Sequence, residues 1–159
     1  MATVSYGLKI TEAYHIFDKT IKIYRNAVHY ISDIAIRHFD ELKSLESITG
    51  DDGKVIISAQ QRRQQKMERL IHSTENNDAV YKRFDKEFYK FPSYLRRDAI
   101  NTSIGLMLSY RSQLQNWENG GKHGCRPYLN RNQNTMPCFY RNNTFLNSEE
   151  TNIVSLKLY

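Results

Sequence analysis

Residues 12–46 read EAYHIFDKTIKIYRNAVHYISDIAIRHFDELKSLE, and they decide how this chain folds. Phe17, Ile21, Tyr24, Val28, Ile31, Ala35, Phe39 and Leu42 recur at 4-3-4-3-4-4-3 spacing. Ile16, Ile23, Ala27, Tyr30 and Ile34 make a second stripe beside the first. Apolar residues at three- and four-residue intervals fall on one side of an α-helix, so the pattern predicts a helix over 12–46 with a broad apolar face. Such a helix is roughly 50 Å long and needs partners along its length. The matching stretch is 91–117, FPSYLRRDAINTSIGLMLSYRSQLQNW. Pro92 stops whatever precedes it, Ser93 serves as a cap, and a helix over 94–118 turns Ile100, Ile104, Met107, Leu114 and Trp117 inward. Asn119-Gly120-Gly121 ends it. The two longest apolar stripes must cover one another, which predicts a shared core of Ile23, Ile31, Ile104 and Met107.

The remaining elements are shorter. TVSYGLKI at 3–10 alternates weakly and reads as a strand. TGDDG at 49–53 is a turn, and Val55-Ile56-Ile57 is an apolar patch leading into the next helix. Ser58 caps a mostly polar helix over 59–74, anchored by Met67, Leu70 and Ile71. Asp78 caps a helix over 79–90 that carries Val80, Phe84 and Phe88 on one side, with Trp117 of the later helix expected in the core. After Gly121 comes a basic loop rich in Asn and Gly, over 119–135, and then two strands, 138–146 and 152–159. The order predicts an α+β chain, mostly α. A helical lobe over 12–118 is inserted into a small, incomplete antiparallel β module made of 1–11 and 119–159. A strand that runs to the last residue is expected to lack a partner and to favour aggregation.

Composition narrows the function classes. The 159 residues carry 23 Lys and Arg against 17 Asp and Glu, a net charge of +6. Residues 1–57 sum to −1, 58–100 to +4 and 101–159 to +3, so the excess begins at the polar helix. Tyr24, Tyr81, Tyr94, Tyr110 and Tyr140 each stand next to or near an Arg, a pairing suited to stacked bases and neutralised phosphates. No run is long and apolar enough for a membrane span, and the N-terminus has no secretory pattern. Two cysteines make no disulfide scaffold, so a cytoplasmic location is expected. His123, Cys125 and Cys138 fit a zinc site poorly, because paired Cys units and a fourth ligand are lacking. Asp51-Asp52 and Glu149-Glu150 are carboxylate pairs in loops, not a convergent metal-binding set. No glycine-rich phosphate loop and no Ser-His-Asp context occurs. The sequence therefore predicts no catalysis, no cofactor and no metal.

The string PSYLRRDAINTSIGLMLSYRSQLQNWE at 92–118, then Gly121 and Pro127 with five residues between them, then MPCFY at 136–140, resembles the N-terminal half of TnpB (OrfB) proteins. Those are RNA-guided nucleases of insertion sequences, related to compact type V CRISPR effectors. The resemblance is strongest over 91–140 and rests on helix pattern alone over 1–90. It implies a wedge β-barrel with a helical recognition lobe inserted in it. The chain would then be a truncated or split member ending inside the wedge, before the RuvC-like nuclease with its acidic triad and zinc cysteines. It would hold guide RNA and guide–target heteroduplex by shape and charge, with DNA and the separate nuclease part as partners, and would cut nothing itself.

The residues expected to carry this binding are Arg62, Arg63, Lys66, Arg96, Arg97, Arg111, Lys122, Arg126, Arg131 and Arg141, with Tyr94 as a base-stacking ring. Arg62, Arg63, Arg126 and Arg131 have no acidic residue three or four positions away, and Lys122 has only Glu118. The competing expectation is a helical interaction protein that pairs with another chain through 12–46.

Overall fold

A computed structural model describes residues 14–130, 135–138, 145–147 and 154–156. The expected strand at 3–10, most of the two C-terminal strands, and both Arg131 and Arg141 lie outside the described residues. The chain is α+β and mostly α, with small two-stranded antiparallel sheets.

Helix α1 (Tyr14–Arg37) and helix α5 (Ser93–Asn119) form the spine. Tyr24 of α1 meets Asp98 of α5, and Ser103 bonds to the Val28 carbonyl, so the two helices advance in the same direction and run parallel. Their seam is dry. Tyr24, Ala27, Val28, Ile31, Ile34 and Ala35 are buried from one side and Ala99, Ile100, Ile104 and Met107 from the other. Ile31, Ile104 and Met107 take the expected core positions, whereas Ile23 is only partly buried at its margin. The α1 stripe is thus covered by α5 within the chain, and the exposed large apolar residues of α1 are Tyr14 and Ile16 at its start.

The expected single helix over 12–46 is two. At His38 (φ −102, ψ 21) the chain kinks, and helix α2 (Phe39–Lys43) follows. The backbone ladder continues through the kink, since His38 N–H bonds to Ile34 and Leu42 N–H to His38. The kink brings Leu42 to full burial, and the His38 ring bonds to the Tyr81 hydroxyl at 3.0 Å. That cross-link between distant segments is invisible to periodicity.

The 49–53 turn closes a hairpin that apolar patterning left unassigned. Strand β1 (Ile48–Thr49) pairs antiparallel with β2 (Val55–Ile57) across a register irregularity. Gly50 bonds to Lys54 and Gly53 to Gly50, with Gly53 at φ +73, where glycine has no Cβ penalty. Helix α3 (Ala59–Ile71) follows, shorter than the expected 59–74, and a full capping box of Ser58 and Gln61 starts it. The Asn77 side chain donates to the Arg69 and His72 carbonyls and so closes its C-terminal end. Met67, Leu70 and Ile71 are buried as expected.

The helix expected over 79–90 shrinks to α4 (Arg83–Glu87). The Ala79 amide is spent on Ser73 Oγ and the Tyr81 amide on the Leu70 carbonyl, so these residues serve the end of α3 and cannot begin a helix. Asp78 pairs with Lys82 and does not cap, and Val80 is exposed. Phe84 and Phe88 are buried, and they cluster with Tyr30 and Phe91 at ring separations of 4.8–6.2 Å. At the start of α5 the cap position is held by Pro92, and Ser93 makes no side-chain cap bond. Finally, β3 (Phe145–Asn147) pairs antiparallel with β4 (Val154–Leu156), Leu146 opposite Ser155. The C-terminal strand expected to be unpartnered has a partner.

Candidate nucleic-acid interface

Helix α3 runs antiparallel to α5, as Gln60 bonds to Asn101 and Glu68 to Arg96 show. With three buried apolar residues it makes a thin contact, and polar ties do the rest. Helix α2 ends in carbonyls without intrahelical donors, and guanidinium groups suit such ends. Arg63 donates to the carbonyls of Leu42 (2.9 Å) and Leu45 (3.4 Å), and Arg62 to that of Glu46 (2.8 Å). Lys66 pairs with Glu41. The Lys66 bond, with a second from His38, holds the Glu41 carboxyl below the ordinary carboxylate range. Arg62 and Arg63, which have no acidic residue three or four positions away, are bonded instead to carbonyls at and beyond the end of α2.

Arg96 and Arg97 separate in role. Arg96 is buried, and its Nε and Nη2 both donate to Glu68 Oε1, at 3.2 and 3.0 Å. It locks α5 to α3. Arg97 points outward, 60% exposed, with its Nε 3.8 Å from Glu68 Oε2. Such a pair at a wet surface is worth little, so Arg97 can be drawn to a phosphate. The Tyr94 ring lies partly buried against the core.

Arg111 lies over the Phe39 ring, 4.7 Å from its centroid, and Lys43 reaches the same ring at 5.8 Å. The Arg111 Nε is buried without a hydrogen-bond partner. Stacking on an aromatic face contributes about 0.5–2 kcal/mol, while an unsatisfied buried donor costs about 1–3 kcal/mol. The two ranges overlap, so the stack offsets part or all of the cost of the orphaned N–H.

The end of α5 is a Schellman turn. Gly121 is left-handed (φ +77), and the Lys122 amide reaches back to the Trp117 carbonyl at 2.9 Å. Lys122 is itself left-handed at φ +62. Lys122, His123, Cys125 and Arg126 are all exposed on the segment that follows. Neither Lys122 nor Arg126 has an ion pair among the described residues. Trp117, expected in the core, is half-buried instead, and its indole N–H is 3.4 Å from the Gly124 carbonyl.

The chain then returns along the spine. The Cys138 amide donates to Asp98 Oδ2 at 3.0 Å, and Arg25 donates to the Thr135 carbonyl. Asp98 is buried and also accepts from the Tyr24 hydroxyl at 2.7 Å, while that hydroxyl lies 3.0 Å from Thr102 Oγ1. Burial, with the neighbouring carboxylate, pushes the Tyr24 phenol far above its ordinary value and the Cys138 thiol upward. Sequence reading named none of Tyr24, Asp98 and Thr102 as a cluster. Their spacing on two helices carries no local signal.

His72 Nδ1 lies 2.7 Å from Asp85 Oδ1, a second pairing that sequence reading missed. The other Asp85 oxygen accepts from the Ser73 amide, so the carboxylate braces the turn after α3. Among the described residues no group of three or more His, Cys, Asp and Glu side chains converges as metal ligands, and no helix is long and apolar enough to cross a membrane.

The chain belongs to the Aq_aa04 family, whose model it matches over residues 2–159. No curated protein and no solved structure matches it.

Proposed function

We propose that this member of the Aq_aa04 family binds nucleic acid, RNA first, through exposed cations, and performs no catalysis of its own. The observation that carries the reading is the exposure of Lys122 and Arg126 with no ion pair among the described residues. They sit beyond a turn fixed to the end of α5, and Arg97 adds a third outward charge near the start of that helix. Residues 58–159 carry an excess of +7, 16 basic minus 9 acidic. Cations that no carboxylate neutralises contact phosphates at small cost and release counterions on binding. Arg62, Arg63, Lys66 and Arg96 serve this surface indirectly, by holding α2, α3 and α5 in place.

The TnpB resemblance specifies the ligand in this reading: a guide-type RNA and its heteroduplex with DNA, recognised by shape and charge, with a separate nuclease part as partner. Asp98 and Cys138, from the two ends of the resembling string, meet in the fold, which agrees with that string acting as one unit. A cytoplasmic location goes with the reading. The alternative, pairing through α1 with another chain, loses ground because α5 already covers the α1 stripe.

The test is fluorescence anisotropy with a labelled structured RNA at low salt. The reading expects saturable binding that weakens steeply as salt rises. No binding at low salt overturns it in favour of the interaction-protein reading.

A further inference from the structure

We propose that the cleft between α2 and the second half of α5 is a binding site for a nucleotide phosphate. It goes beyond the polyanion surface at Lys122 and Arg126, and it can stand or fall separately. The cleft has a volume of about 490 Å³ and is lined by Phe39, Lys43, Leu108, Arg111, Ser112 and Glu118, among others. Two cations converge there on one aromatic ring. Lys43 and Arg111 have no ion pair among the described residues, and neither does Glu118 on the rim. Two cations that no carboxylate pairs with repel each other, and an anion between them removes that repulsion. The Arg111 Nε is buried, so an anion in the cleft meets the terminal nitrogens of the guanidinium. A planar fork with five donors matches phosphate oxygens, and Lys43 adds a mobile point charge.

The rest of the lining sets the ligand class. Leu108 and Phe39 offer apolar surface beside the cations, and Ser112 offers a hydroxyl. A bare inorganic ion would leave the apolar part uncovered. A phosphate attached to a flat, partly apolar group fills both parts, which describes a nucleoside monophosphate. The same chemistry comes from two sources, a free mononucleotide or the terminal phosphate of an RNA strand.

The experiment is isothermal titration of the full chain with adenosine monophosphate, with adenosine as the phosphate-free control. Binding of the monophosphate at least about tenfold tighter than adenosine is expected, the increment of one charge-assisted contact. Arg111→Lys keeps the charge and loses the fork, and weakens binding about tenfold. Because Arg111 is partly buried, that variant is checked by circular dichroism, and two exposed positions decide the matter if it fails to fold. Lys43→Gln weakens binding about threefold, and Glu118→Gln strengthens it by a similar factor, since the first removes an attracting charge and the second a repelling one. A single-stranded RNA with a 5′-phosphate that competes better than its 5′-hydroxyl counterpart identifies the strand end as the source. Competition by the free nucleotide alone identifies the mononucleotide. Either result supports the site. No binding of the monophosphate, equal binding of adenosine, or no response to both Lys43→Gln and Glu118→Gln overturns it. Lys122→Ala with Arg126→Ala separates the two claims: it reduces RNA binding and leaves monophosphate binding unchanged.

Discussion

The α1–α5 seam and the α3–α5 seam join the same helix to two neighbours by different means. From Tyr24 to Ala35 the first buries six apolar or aromatic residues of α1 and one polar residue, Ser32. The second rests on Met67, Leu70 and Ile71 and is completed by Gln60–Asn101 and Arg96–Glu68. An apolar seam draws stability from area removed from water, whereas a polar seam draws it from geometry and depends on every partner being present. Cations in a polar seam are positioned by the fold. Those outside it, at Arg97, Lys122 and Arg126, remain available for a ligand.

This contrast is broken most easily at the apolar seam. Ile104→Ala leaves a cavity at a fully buried position and is expected to cost about 2–5 kcal/mol in denaturant unfolding. A loss under about 1 kcal/mol would mean that the seam is not the main core. At the polar seam, Arg96→Ala leaves Glu68 partly buried with only its long contact to Arg97. It should cost about 1–3 kcal/mol, less than for a fully buried pair because water still reaches Glu68. Adding Glu68→Ala should recover part of that loss, and strict additivity in the double-mutant cycle would contradict the coupling.

Tyr24→Phe sharpens the comparison from within the apolar seam. It removes one donor to Asp98 and should cost about 1 kcal/mol at neutral pH. The folded phenol is raised above its ordinary value of 10.0, so the folded state holds that proton more tightly than the unfolded chain. Its contribution is complete below pH 10.0 and is lost as pH rises above it. Urea midpoints measured against pH should therefore fall less steeply in the alkaline range for Tyr24→Phe than for wild type. The smallest effect concerns Glu41, whose carboxyl is lowered by Lys66. The stability of that tie is present above the ordinary carboxylate value of 4.5 and lost as pH falls below it. Amide exchange over 42–46 should quicken there before exchange in α5 does. Simultaneous loss in both would place the tie in the global unfolding unit.

The apolar half of this architecture was legible in the sequence. The stripe of Tyr24, Val28, Ile31 and Ala35 named the face of α1, and Ile104 and Met107 named the facing residues of α5, because periodicity records burial directly. The polar half was not. Arg62 and Arg63 have no acidic neighbour in sequence, yet carbonyls of Leu42, Leu45 and Glu46 receive them. Every residue carries a carbonyl, so the sequence does not mark which ones a fold leaves open. The same holds for Asp98, whose donors come from Tyr24 and from the Cys138 amide. The helix expected over 79–90 failed for a related reason, since its first amides bond to Ser73 and Leu70. Among the candidate binding residues, the sequence did not separate the buried Arg96 from its exposed neighbour Arg97.

That separation of bonded from available cations is tested most directly by the salt dependence of RNA binding. Wild type and the triple variant Arg97→Ala, Lys122→Ala, Arg126→Ala are titrated with a structured RNA over a range of salt concentrations. Each lost phosphate contact flattens the slope of log affinity against log salt by about 0.7–0.9. The account predicts a slope shallower by about 2–3 in the triple variant, with the preference among RNA sequences unchanged. Equal slopes for the two proteins would contradict it.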